Sequence, residues 1–172
     1  MTIQRITKMA IVAAVYVALT YIFAPISYNE LQFRVSEILV LLVFFKRDYI
    51  YSLVIGTFIA NIGSPLGLYD LAFGTAGTLF AVWGIYLVSL LKDRFKPHWL
   101  LLLIASLFPV ISNGLLVAWE LKIVYALPYW PSVLSVAIGE AVVVCVFGVL
   151  VFSLLEKNKP FMNLIQSDNF RF

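Results

Sequence analysis

The stretch "QFRVSEILVLLVFFKRDYIYSLVIGTFIANI", Gln32–Ile62, decides how the rest of the chain is read. Two apolar runs, 35–45 and 49–62, flank the charged triplet Lys46-Arg47-Asp48. Each is shorter than the roughly 20 apolar residues that a bilayer crossing needs. They read either as one hairpin that does not cross fully or as two tilted helices completed by loop residues. Snorkelling by Lys46 and Arg47 lengthens the effective span. At the mouth of the first run stand Arg34 and Glu37, three apart and so on one face of a helix.

Composition sets the setting of these runs. The chain has 172 residues, of which 63% are hydrophobic and 12% charged, with a mean hydropathy of +1.00. A soluble domain of this size cannot bury so much apolar side chain. The runs are continuous rather than alternating, which argues against a β-barrel. The expected fold is an all-α integral membrane protein in the lipid bilayer, one domain spanning 1–172. The opening "MTIQRITKMAIVAAVYVALTYIFAP" is basic and then apolar, like a signal peptide. No convincing small-x-small cleavage site follows, so it reads as a retained first helix.

Spans are expected near 9–24, 35–45, 49–62, 71–91, 99–118 and 132–155. The loops are 25–33 and a proline-punctuated 119–131, and 156–172 forms a polar tail. With six helices and a cytoplasmic N-terminus, the inner side holds Arg5, Lys8, Lys46, Arg47, Lys92, Arg94, Lys96, Lys157, Lys159 and Arg171, ten of the twelve basic residues. Arg34 and Lys122 alone fall outside. Every inner segment then obeys the positive-inside rule, and removing one crossing would put half the basic loops on the wrong side. The reading is a six-helix, multi-pass protein of the cell membrane with both termini in the cytoplasm.

Under that topology the uncommon polar groups gather in the outer half. Arg34 and Glu37 open the second helix, Asn61 closes the third, Asp70 opens the fourth and Asn113 lies in the outer part of the fifth. Glu140 sits nine residues past Pro131, roughly 14 Å along a helix and near mid-depth. An ionised carboxylate there costs at least ~2.5 kcal/mol, so it should face the interior with a partner or be protonated. The asymmetry suggests a pocket that captures a small polar solute from outside. Bland roles compete: a salt bridge for Arg34 with Glu37, a helix cap for Asp70, and caps or bridges between helices for Asn61 and Asn113. Glu120 and Lys122 read as parts of a solvated loop.

Other features point to packing. Ala10, Ala14 and Ala18 recur on one face of the first helix, where small residues allow close approach. Gly56, Gly63, Gly67, Gly74 and Gly77, with Pro65, make tight turns and close contacts around the third and fourth helices. Cys145 is the lone cysteine, read as a small hydrophobe. His98 reads as structural at the inner interface. There is no metal cluster, nucleophile elbow or P-loop, so no metal, cofactor or enzymatic activity is expected, and ATP could act only through other subunits. No basic patch suggests nucleic acid.

Three stretches, "FAPISYNELQFRVSEIL", "IANIGSPLGLYDLAFGTAGTL" and "WELKIVYALPYWPSVLSVAIGEAVVV", resemble the QueT-type queuosine-precursor transporters over residues 7–157. These are substrate-binding S components of energy-coupling factor (ECF) transporters. The resemblance implies six membrane helices, binding of 7-aminomethyl-7-deazaguanine from outside, and delivery inward by toppling. It also implies partnership with a transmembrane T subunit and two ATPases. The family's Ala-x-x-x-Ala docking surface for the T subunit matches Ala10 and Ala14, with Ala18 extending it, and its gating loop would be 25–34.

The ligand's chemistry suits the residues. A deazaguanine edge presents adjacent N–H donors that a carboxylate accepts, its carbonyl needs a donor, and its aminomethyl group wants a second carboxylate. Glu140 or Glu37 is assigned to the edge and Asp70 to the ammonium, with Asn61, Asn113 and Arg34 in support. Phe33, Tyr69 and Trp130 are the stacking or lid candidates. Three alternatives stand beside this: an S component for another vitamin-like solute, a lone proton- or ion-coupled carrier with Glu140 and Glu37 as relay groups, and an intramembrane scaffold.

Overall fold

The run after Glu37 is the centre of the molecule. In the computed structural model, which describes residues 2–27 and 33–167, Val40, Leu41, Leu42, Val43, Phe44 and Phe45 are all buried. A helix that is apolar all round belongs inside a bundle, and this one is walled in by the rest of the chain. Its first seven residues, Val35–Leu41, form a 3-10 helix, and Leu42–Phe45 continue as α-helix. A 3-10 turn rises faster, about 2.0 against 1.5 Å per residue. The eleven residues therefore reach about 20 Å, where a pure α-helix would reach about 16 Å. That extra rise relieves part of the shortness of the run.

We number the helices α1 (Ile3–Ile22), α2 (Val35–Phe45), α3 (Tyr49–Ile62), α4 (Leu68–Ser89), α5 (His98–Tyr125), α6 (Tyr129–Leu155) and α7 (Lys159–Gln166). A single helical turn, Ala24–Ser27, follows α1. Helices α1, α4, α5 and α6 are long and apolar enough to cross a membrane, while α2 and α3 are shorter apolar helices. No strand occurs among the described residues. Large apolar side chains such as Phe80, Trp83, Leu87, Ile111, Leu134 and Phe147 cover the outer surface, which suits lipid rather than water.

Helix α1 begins at Ile3, six residues before the expected start of the span near 9, and two other segments differ more. Helix α5 does not stop at 118 but runs through Pro109 to Tyr125, where Ala126 takes a left-handed conformation (φ 54°) and ends it. The expected loop of 119–131 shrinks to three residues. Glu120 is consequently not in a solvated loop; it lies in α5 with no exposed surface. Lys122 does point outward, its Nζ 5.1 Å from the Trp119 ring centroid. The polar tail also gains structure. Met162 and Ile165 of α7 dock on the core.

Charges tie one end of the bundle together. Arg5 pairs with Asp48, fastening α1 to the α2–α3 turn. The last carbonyls of α7 need donors, and two lysines and a tyrosine supply them. Lys8 Nζ donates to Leu164 O (2.8 Å), Lys46 Nζ to Gln166 O (3.0 Å) and Tyr49 OH to Ile165 O (2.9 Å). His98 pairs with Glu156 and contacts Lys92 O (3.0 Å), closing α5 on the end of α6. Arg171 and residues 28–32 of the expected gating loop lie outside the described residues.

Small residues set the helix crossings. A Cβ on Gly56 would stand 3.2 Å from Ala13 O and from Tyr16 Cβ, so α1 and α3 pack at backbone contact distance. Ala13 faces that crossing, which turns Ala10, Ala14 and Ala18 outward, and all three are exposed.

Candidate functional site

Away from the basic end, α1 to α6 converge on a buried set of polar side chains. Arg34, just before α2, reaches Asp70 in the first turn of α4. Its Nη2 donates to Asp70 Oδ1 (2.6 Å) and Oδ2 (2.9 Å). The ion pair is sequestered, with side-chain exposures of 4% and 0%, so the Asp70 charge is compensated by the guanidinium. Asn61, at the end of α3, donates from Nδ2 to the Asp70 backbone carbonyl (2.9 Å). Together they make one tier of the site. Glu120 faces the same tier and interacts electrostatically with Asp70 and Arg34.

A second tier lies deeper. The Tyr16 hydroxyl of α1 donates to Glu37 Oε1, and Thr78 of α4 adds a longer bond to the same oxygen (3.3 Å). Asn113 of α5 donates from Nδ2 to Glu140 Oε1 of α6 (2.8 Å). Glu37 and Glu140 are close enough to interact electrostatically. Glu140 is the last α-helical residue before an eight-residue π-helical segment, Ala141–Gly148, a widened geometry often found at functional positions. The tiers follow helical periodicity: Asn113 and Glu120 are seven apart on α5, two turns or about 10 Å.

Glycines make room for these groups. A Cβ on Gly74 would lie 2.7 Å from Asn61 Nδ2, 3.3 Å from Arg34 Nη1 and against Asp70 Oδ1. On Gly77 it would fall on Asn113 Oδ1. Gly77→Ala should therefore push the Asn113 amide off Glu140 and lower stability by roughly 1–3 kcal/mol, as overpacking does. Gly114→Ala is the contrast, because its Cβ would meet Ala137 Cβ at an ordinary 3.5 Å. Thermal unfolding in detergent should separate the two, and equal melting temperatures would contradict the Gly77 contact.

The structure thus brings together Arg34, Glu37, Asn61, Asp70, Asn113 and Glu140. Arg34 and Glu37 do not pair with each other; each turns to a different helix. Of the stacking candidates, Phe33 is half-buried against the core, while Tyr69 (47% exposed) and Trp130 (72%) stand at the surface. Trp130 packs edge-on against Tyr129, 5.1 Å between centroids. Sequence reasoning missed Tyr16, Thr78 and Glu120. Tyr16 had a signal in Thr20, one turn on, whose hydroxyl donates to the Tyr16 carbonyl (2.9 Å) and accepts from Ser36 (2.7 Å). The spacing of Glu120 from Asn113 was a signal too.

The unpartnered atoms carry the chemical message. Glu37 Oε2, Asn61 Oδ1, Asn113 Oδ1, Glu140 Oε2 and both carboxylate oxygens of Glu120 are buried without a hydrogen-bond partner among the described residues. The two amide orientations follow from their neighbours, since a carbonyl and a carboxylate each require a donor. With the three glutamates ionised, all six atoms are acceptors. Among the described residues, four carboxyl groups stand around one guanidinium, an arrangement that suits a ligand rich in N–H donors and positive in charge.

A helical bundle with an apolar exterior, four membrane-length helices and a polar interior has the architecture of a membrane transporter. Residues 6–157 match the family described as QueT transporter. The chain is 35% identical over 144 residues to the queuosine precursor transporter QueT of Lactococcus lactis subsp. cremoris (strain MG1363), covering 78% of this chain and 82% of that protein. No solved structure matches the chain. The chain belongs to the QueT transporter family.

Proposed function

We propose that the chain is the substrate-binding S component of an ATP-driven ECF importer for a queuosine precursor, 7-aminomethyl-7-deazaguanine. The observation that carries the substrate is the set of six buried acceptor atoms lacking donors. This base offers a donor-rich flat edge and a cationic arm, the complement of that set. The QueT relative, named for queuosine-precursor transport, supports the substrate class.

Six crossings of the plasma membrane place the basic end in the cytoplasm and the acidic site toward the outside. In that arrangement α2 crosses enclosed by the other helices, and α3 crosses beside it with Tyr51, Ile55 and Ile62 turned to lipid. A transmembrane T subunit docks on Ala10, Ala14 and Ala18, the exposed small face of α1, and two ATPase subunits supply the energy. Within the site, Glu37 and Glu140 read the guanine-like edge, one unpartnered oxygen each. Asn61 and Asn113 add acceptors. Arg34 holds Asp70 and shapes the mouth of the site. Phe33, the half-buried one of the three, is the stacking candidate, with Tyr69 and Trp130 kept as lid residues.

Mass spectrometry of the small molecule that copurifies with the protein tests the substrate. The deazaguanine amine is expected, and a flavin or biotin would overturn the assignment while leaving an S component for another solute. Uptake in cells tests the rest: it should require ATP and the T and ATPase subunits. Uptake by the chain alone would favour a proton- or ion-coupled carrier.

A further inference from the structure

The ammonium of the proposed ligand needs an acceptor, and Asp70 is the residue expected from the sequence to supply it. Both Asp70 oxygens already accept from Arg34. Glu37 and Glu140 each give one oxygen to protein donors, Tyr16 with Thr78 and Asn113 respectively. Glu120 differs from all three. It is wholly buried, and neither of its oxygens has a partner among the described residues. Its sequence neighbour Lys122 turns away to Trp119. It also stands in the tier of Arg34 and Asp70, two turns along α5 from Asn113, so a ligand edge held by Glu140 and Glu37 leaves its far end toward Glu120.

We propose that Glu120 is the acceptor for the ligand's ammonium, and that it makes the site select an amine over a neutral analogue. The assignment rests on the deazaguanine reading above. A buried carboxylate with no donor is costly, and a cation that arrives with several N–H groups removes that cost. A ligand that lacks the cation leaves Glu120 unsatisfied, so discrimination comes from the protein's own unpaired group.

The test is equilibrium binding of two probes to the purified full chain: 7-aminomethyl-7-deazaguanine and its 7-cyano analogue, which keeps the flat edge but has no ammonium. The unmodified chain should bind the amine at least tenfold more tightly. Glu120→Gln should lower amine affinity at least ten times further than nitrile affinity. Glu120→Asp, which keeps the charge on a shorter arm, should lose less and in the same direction, and it repeats the test where the amide variant is not recovered folded. Equal affinity of the unmodified chain for both probes, or losses of the same size for both on substitution, would overturn the role of Glu120 and spare the substrate class. Failure of the unmodified chain to bind either probe would overturn the substrate reading itself, and this inference with it.

Discussion

Arg34→Met is expected to cost roughly 3–5 kcal/mol of stability, the usual penalty for removing one partner of a buried ion pair. Asp70 would be left fully buried beside Glu120, with only its backbone carbonyl still held by Asn61. The same substitution also frees the short segment before α2 from α4, because the Arg34–Asp70 pair is a direct link between them. The companion Arg34→Met with Asp70→Leu removes both charges and should recover much of the loss, since buried pairs often contribute little over apolar residues of similar volume. It should not recover ligand binding if the pair shapes the mouth of the site. Thermal unfolding in detergent, run on both variants with a binding assay alongside, reads these outcomes. A single variant as stable as the original would show that Asp70 has another partner.

Glu140→Gln should weaken ligand binding by about 1–3 kcal/mol, or roughly 5- to 150-fold. The new amide can keep its oxygen toward Asn113 Nδ2, so the contact between α5 and α6 survives. Its nitrogen then replaces Oε2, the unpartnered acceptor, and turns a donor toward a ligand edge made of donors. The loss is in recognition rather than folding, which separates it from the Arg34 result. Titration calorimetry on purified protein is the measurement, and an affinity equal to that of the original chain would remove Glu140 from the site.

Much of the site was legible one residue at a time. Glu140 stood out because a mid-helix carboxylate has no capping role, and Arg34, Glu37, Asn61, Asp70 and Asn113 because each broke an apolar run near one end. The pairings were not legible. Arg34 and Glu37 share a local face by spacing, yet Arg34 bonds across to Asp70 and Glu37 to Tyr16 and Thr78. The Glu120 misreading has a specific cause. Aromatic residues, prolines and a Glu-Leu-Lys triplet resemble an interfacial loop, and helix propensity does not reveal that α5 continues two turns further. The tail was underread for a related reason: eight residues make a marginal helix alone, and α7 is held by core contacts and by Lys8, Lys46 and Tyr49.

Alone, the sequence determined the apolar character and the helical class, because hydropathy and run length are properties of single positions summed along the chain. Tertiary structure decided the rest. It showed that Val40–Phe45 form a buried axis entered through a 3-10 turn, since burial depends on what surrounds a helix and not on its composition. It also decided which acceptors are spent on protein donors and which are left over. That difference depends on distances of a few ångströms between helices far apart in sequence, and it separates Glu120, with neither oxygen partnered, from Asp70, with both accepting from Arg34.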